Sequence, residues 1–204
     1  MPKRIDLVVQ RRLVANAAIA VIEDQGWEGA RLRDVARAAD LTTGAVTHYF
    51  EDKDAVLEAA LEEIVRRTLE RIGAGGRTDR TQNVSGFVER VEKHLPLDAQ
   101  SRGEWRVWLA FWARALADER LQAVNRRYYA AIVEHTVCSL QRLETAGDAR
   151  SPAELRELAD AIIAAVDGVG MRATLEPSAW PAERQRETIG RLLTPMLSHF
   201  IRGS

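Results

Sequence analysis

Residues 26–53 read GWEGARLRDVARAADLTTGAVTHYFEDK, and no other stretch restricts the possible folds of this chain as strongly. Leu32, Val35, Ala36 and Ala39 recur at helical spacing and give a short helix one apolar side. Asp40 interrupts that stripe, and Asp is among the few residues that accept a left-handed backbone at a turn. Thr42 or Thr43 then offers an N-cap oxygen to a second short helix carrying Ala45, Val46, Tyr49 and Phe50. Two short helices joined by a tight turn make a helix-turn-helix, whose second helix fits a DNA major groove. Leu41 to Phe50 contains no acidic residue, as an approach to phosphates requires.

Within the second short helix, Val46 and Phe50 are four apart and are expected to pack inward on the two helices before it. That leaves Thr43, Gly44, Thr47, His48 and Tyr49 to face DNA. Gly44 has no side chain to hold a backbone away. Thr47 can hydrogen-bond a base or touch a thymine methyl, and His48 and Tyr49 are long enough to reach phosphates. Lys53 follows Asp52, the expected N-cap of a fourth helix, and a cation at a helix N-terminus suits a phosphate. The competing reading is an ordinary polar helix face followed by a solvated lysine.

Arg11 to Leu61 resembles the DNA-binding domain of the TetR family of transcriptional repressors. The resemblance rests on Gly26 and Trp27 closing a first helix and on Arg33, Asp34, Val35 and Ala36 in the second. It rests also on Gly44 to Phe50 as a recognition helix ending in aromatics, and on Lys53 opening a fourth helix. The THYF ending is more similar to the branch of the choline–betaine pathway repressor than to the tetracycline repressor. Arg31 stands where a Ser or Thr cap is usual, and Asp40 where Gly is usual. Thr47 replaces a common Tyr and Thr43 a frequent Lys, and these departures bear on the operator sequence.

The resemblance implies an all-α fold with an N-terminal three-helix helix-turn-helix DNA-binding domain and a C-terminal helical domain for ligand binding and dimerisation. It implies a repressor, not an enzyme, that holds a palindromic double-stranded DNA operator as a homodimer and leaves it when a small-molecule effector binds. Cationic effectors are the first to try. No cofactor and no metal are implied.

Composition agrees with a folded helical chain. Of 204 residues, 46% are hydrophobic, 29% are charged and 6 are Pro, which is the globular range, and β-branched alternation is scarce. The net charge of −1 excludes a generally basic binder of polyanions, so a nucleic-acid site must be a local patch. Lys3, Arg4, Arg11 and Arg12 are candidates for it. Residues 1–53 carry eight basic and eight acidic side chains. That balance favours a rival class, an all-α enzyme or adaptor that kept the fold and lost DNA binding, but the acid-free segment outweighs it. Cys138 stands alone, which excludes an intramolecular disulfide and fits a reducing cytosol. With no signal-peptide pattern and no membrane-length apolar run, a cytoplasmic location is expected. Asn83-Val84-Ser85 is read as a chance glycosylation sequon, and Gly203 and Ser204 carry no weight.

The periodicity predicts about nine helices. They run from about Leu7 to Gln25, Leu32 to Ala39, Thr43 to Tyr49, Lys53 to Arg71, Val84 to His94 and Arg102 to Ala117. The last three run from about Glu119 to Thr145, Pro152 to Thr174, and from after Pro181 to Phe200. Residues 73–83 are a Gly-rich loop, Gly147 is a helix stop, and Ser151 and Pro152 open the eighth helix. The expected domains are 1–52 and 53–204, with the helix over 53–72 joining them.

Trp105, Trp108, Phe111 and Trp112 share much of one side of the sixth helix. They read either as a core stripe or as the wall of an effector pocket, where Trp rings can hold an ammonium. Tyr128 and Tyr129 can add to such a pocket. Apolar stripes on the last two helices, among them Ile162, Val166, Val169, Ile189, Leu193 and Met196, are expected to form a dimer interface. Gly168 and Gly170 are expected at a close helix crossing, and Pro195 at a kink. His135 and Cys138, three apart, are read as packing residues because no further metal ligand has matching spacing.

Overall fold

The computed structural model describes residues 7–73, 83–143 and 150–202. Among the described residues the regular elements are nine α-helices: α1 Leu7–Gly29, α2 Leu32–Ala38, α3 Thr43–Tyr49, α4 Lys53–Gly73, α5 Val84–Glu92, α6 Ala99–Ala115, α7 Glu119–Gln141, α8 Pro152–Leu175 and α9 Ala182–Arg202. Lys3, Arg4, most of the Gly-rich loop, Thr145, Gly147, Gly203 and Ser204 lie outside the described residues.

Local chemistry sets most helix ends. Gly26 sits at φ 70°, a left-handed conformation that favours glycine, and breaks α1 one turn before its end. Asp40 takes φ 56° and makes the turn between α2 and α3. Thr42, not Thr43, caps α3 by accepting from the Ala45 N–H at 3.1 Å. Asp52 caps α4 through the Ala55 N–H at 2.6 Å. Asn83, the residue of the sequon, caps α5 through the Gly86 N–H at 2.8 Å. Ser151 and Glu154 form a reciprocal capping box ahead of α8. The start of α6 is earlier than expected, because Asp98 accepts from the Ser101 N–H at 2.7 Å and so sets the N-terminus at Ala99. α9 continues as helix through Pro195.

The chain divides into two compact units, Met1–Arg67 with Gly103–Arg126, and Thr68–Arg102 with Arg127–Ser204. In the first unit, α1, α2 and α3 bury Val14, Ala18, Ile22, Val35, Ala36 and Val46, and Phe50 just after α3 is buried too. Leu57, Leu61 and Ile64 of α4 and Phe111 of α6 are buried in the same unit. Charged groups tie its helices together. Glu63, nearly buried, accepts from Arg66 at 2.6 and 2.8 Å and from Arg67 at 3.0 Å, and Arg12 of α1 lies 3.5 Å away. Arg67 also reaches Asn16 of α1 and Glu104 of α6. Arg114 of α6 clasps both carboxylate oxygens of Asp54, at 3.2 and 2.7 Å, and Arg106 donates to the Glu23 carbonyl at 2.7 Å. A division after residue 52 separates the helix-turn-helix from the rest by role; packing keeps the first part of α4 and most of α6 with it.

The second unit is held by an apolar cluster. α9 packs on α5 and α8, and Phe87, Leu95, Leu140, Leu155, Ala159, Ile162, Val169, Ile189, Leu193 and Leu197 are buried among one another. This corrects part of the expected dimer interface. Ile162, Val169, Ile189 and Leu193 are at most 5% exposed within the single chain, so they are core and have no surface to offer a partner. Val166 and Met196 are half-buried. Gly168 is not at a crossing within the chain either, since an added Cβ there meets no atom within 4 Å.

Candidate nucleic-acid interface and effector body

α3 has one face locked and one face open. Val46 and Phe50 are buried, as expected from their spacing, while Thr43, Gly44, Thr47 and His48 are exposed and Tyr49 is half-buried. Exposed Thr47 donates its hydroxyl to the Gly44 carbonyl at 3.1 Å, which leaves the oxygen lone pairs able to accept. An added Cβ on Gly44 would come no closer than 3.9 Å to Thr42, an ordinary contact. Among the described residues, no neighbour therefore requires glycine at this exposed position. The His48 and Tyr49 rings meet edge to face at 5.2 Å.

One basic residue holds the end of this helix, and another ties the start of α4 to the end of α1. Arg11 donates to the Tyr49 carbonyl at 3.0 Å and lies 4.6 Å from the centre of the Phe50 ring. A guanidinium at the last carbonyls of a helix satisfies an orphan acceptor and favours the dipole. Lys53 donates to the Trp27 carbonyl and sits 4.1 Å from the centre of the Trp27 ring. Burial lowers the pKa of Lys53, and Glu28 and Asp54 oppose that shift. One of its three N–H donors is committed to Trp27. Gly26 and Trp27 thus do more than end a helix: the left-handed glycine turns the chain so that Trp27 receives the lysine opening α4.

The expected effector residues fall into separate settings. Trp105 and Phe111 of α6 are buried, while Trp108 and Trp112 are half-buried. Trp112 stands 6.1 Å from Trp105 and 5.7 Å from Trp108, centre to centre. An open depression of about 360 Å³ is lined by Trp112, Ala115, Leu116, Gln122, Asn125 and Arg126. Asn125 Oδ1 beside it is buried without a hydrogen-bond partner. Of the aromatic stripe, only Trp112 lines this depression. Tyr128 belongs to the second unit, where it is buried with the Arg127 guanidinium 5.1 Å from its ring centre. Tyr129 is half-buried and donates to Asp167 Oδ2 of α8 at 2.6 Å.

His135 is half-buried, and burial, then Arg142, lowers its pKa. Cys138 is exposed. Among the described residues no three His, Cys, Asp or Glu side chains are placed to hold a metal ion, and no helix is long and apolar enough to cross a membrane.

Residues 15–60 match the bacterial regulatory proteins of the tetR family, and residues 87–198 match the BetI-type transcriptional repressor C-terminal domain. The chain belongs to the TetR family. It is a transcriptional regulator of that family with a BetI-type C-terminal domain. The HTH-type transcriptional regulator BetI of Paraburkholderia xenovorans is 30% identical over 179 residues, covering 86% of this chain and 87% of the relative. A transcriptional regulator from Rhodococcus sp. Rha1 has the same fold, with a TM-score of 0.77 and 26% identity over 92% of this chain and 96% of that one. A structure from Saccharomonospora viridis, described as a putative transcriptional regulator in complex with choline, superposes with a TM-score of 0.75. It is 21% identical and covers 94% of this chain and 97% of that one.

Sequence reasoning named Arg11 only as part of a basic cluster, and it did not name Asp167. A signal for Asp167 was present, because it is the one charged residue in the run 161–171, AIIAAVDGVGM.

Proposed function

We propose that this TetR-family regulator represses transcription as a homodimer on a palindromic operator, and that a small organic effector bound in the C-terminal body releases it. The observation that carries the DNA half is the two-faced α3. Its inner residues are locked in the core, and its outer residues Thr43, Gly44, Thr47 and His48 form an exposed surface free of carboxylates. Thr43, Gly44 and Thr47 face base edges; His48, Tyr49 and Lys53 anchor phosphates. Arg11 holds the C-terminal end of the helix. The location is cytoplasmic and the chain performs no catalysis.

The homodimer reading rests on α8 and α9. Ala161, Ala164, Gly168, Met171 and Leu175 follow one another at three- and four-residue steps on α8 and are exposed. Leu192 and Pro195 are exposed on α9. Met171 is 40% exposed, Leu192 50% and Leu175 66%. The open space at Gly168 leaves room for a second helix to approach. In the effector reading, Trp108 and Trp112 are the aromatic contacts, and choline is the first ligand to try because the Saccharomonospora viridis neighbour was solved with it.

Binding to DNA fragments from upstream of the protein's own coding region tests the reading. Lys53→Ala should weaken every fragment alike and reduce the salt slope by about one unit. Thr47→Ala should change the ranking of operators, at a cost of about 1 kcal/mol on the preferred one. Both variants binding like the parent would sink the assignment of α3.

A further inference from the structure

The acid-free stretch that ends at Phe50 gives way at once to EDKDAVLE, residues 51–58, where four carboxylates surround the single Lys53. Helix α4 needs some of them. Asp52 caps it by accepting from the Ala55 N–H at 2.6 Å, and Asp54 lies in its first turn, where a negative charge favours the dipole. A DNA phosphate arriving at Lys53 makes the opposite demand, because each carboxylate beside it repels. The fold meets both demands with arginines from distant helices. Arg114 of α6, 60 residues from Asp54, donates to both of its carboxylate oxygens, at 3.2 and 2.7 Å. Arg120, in the first turn of α7, places one guanidinium between Asp52 at 3.9 Å and Glu58 at 3.7 Å. All of these residues belong to the first unit.

Two observations give these arginines a part beyond stability. Their side chains keep 42% and 49% of their surface in water, and ion pairs so exposed add little to folding. The Lys53 ammonium also feels the Arg114–Asp54 pair: burial lowers its pKa, Glu28 and then Asp54 oppose that shift, and Arg114 adds to it. The pair thus lies within electrostatic reach of the group that meets the phosphate. We propose that Arg114 and Arg120 are positioning residues of the DNA interface, which neutralise the acidic start of α4 and so admit a backbone phosphate to Lys53. The inference rests on the reading of Lys53 as a phosphate anchor above, and it gives α6 and α7 a part in holding DNA. The stronger effect belongs to Arg114, whose contact has two points and shorter distances.

The test is the affinity of the full chain for duplex DNA from upstream of its own coding region and for a scrambled duplex of equal length. A phosphate contact carries no sequence information, so both duplexes should respond alike. Arg114→Gln should weaken both about fivefold at about 0.1 M salt, and Asp54→Asn should tighten both by a similar factor. The double variant should return to the parent's affinity, and Arg120→Gln should weaken binding by less than Arg114→Gln. At about 0.5 M salt these differences should shrink, because the charges are then screened. A plain structural clip is broken equally from either side, so Arg114→Gln and Asp54→Asn weakening DNA together would overturn the proposal. An Arg114→Gln variant, folded by circular dichroism, that binds like the parent would overturn it as well. Asp54→Asn decides the matter even where the arginine variant does not fold: tighter binding supports the proposal, and unchanged or weaker binding overturns it. A parent that binds neither duplex removes the DNA-binding reading and this inference with it. A parent that binds, with variants that all match it, removes this inference alone.

Discussion

Glu63 in the first unit and Asp167 in the second are both carboxylates drawn away from water, with opposite surroundings. Glu63 collects hydrogen bonds from Arg66 and Arg67 on its own helix and lies within ion-pair distance of Arg12 on α1. Those bonds, from Arg66 above all, hold its carboxyl below the usual range against the effect of burial. Asp167 has a neutral phenol and is pushed up to about 6 by burial. The first unit uses buried charge as a fastener between α1, α4 and α6. The second is fastened by apolar packing, and among its described residues Asp167 forms no ion pair. A buried charge that is paired and hydrogen-bonded is sustained by its partners, and one without a cation is held at a cost in stability.

The apolar fastening is broken hardest by placing a charge inside it. Ile162→Glu should cost about 4 kcal/mol or more and abolish folding, because the carboxylate would be buried in the cluster with no partner. Val166→Glu, at a half-buried position on the same helix, should keep the fold and yield monomers. Circular dichroism with sedimentation distinguishes these outcomes, and a folded monomer from Ile162→Glu would return that residue to the interface.

A smaller effect is expected from the charged fastener. Glu63→Ala leaves Arg66 and Arg67 without their shared acid, which for a fully buried pair costs about 3–5 kcal/mol. The guanidinium groups keep 34% and 26% of their surface in water, so about 2 kcal/mol is the expected loss in urea unfolding. The parent's contribution from Glu63 is present above the unfolded pKa and fades as pH falls through the lowered folded value.

Asp167→Asn should act in the other direction and by the least. The folded state takes up a proton at about 6 and the unfolded state near the ordinary 3.8, so this group's contribution to stability falls as pH rises between those values. Removing the charge should therefore raise the stability of the ligand-free protein at pH 7.5 by roughly 1–2 kcal/mol. Denaturant midpoints across pH 4–8 check the sign. A loss as large as that of Glu63→Ala would erase the contrast between the two acids.

The helix-turn-helix was legible because its determinants are local. The left-handed Asp40, the Thr42 and Asp52 caps and the inward Val46 and Phe50 each depend on residues within about one turn, so a residue's neighbours in sequence are also its neighbours in space. The start of α6 is local as well: Asp98 accepts from the Ser101 N–H and begins the helix at Ala99, ahead of the apolar stripe by which periodicity marks it. The stripes on α8 and α9 were read correctly as apolar, but an apolar stripe says that water is excluded and not by which surface. Only the packing of α5, α8 and α9 assigned Ile162, Val169, Ile189 and Leu193 to the chain's own core and left Met171, Leu175 and Leu192 outside.

Charge showed the same limit. Arg11 lies 38 residues from the Tyr49 carbonyl it holds, and Arg114 lies 60 residues from Asp54. The sequence by itself determined the helices, the turn that presents α3 and the family to which the chain belongs. The tertiary structure decided which charges are paired and which apolar residues are core. Caps and turns are settled within a few residues of backbone, whereas burial and Coulomb energy depend on distances that exist only once the helices have packed.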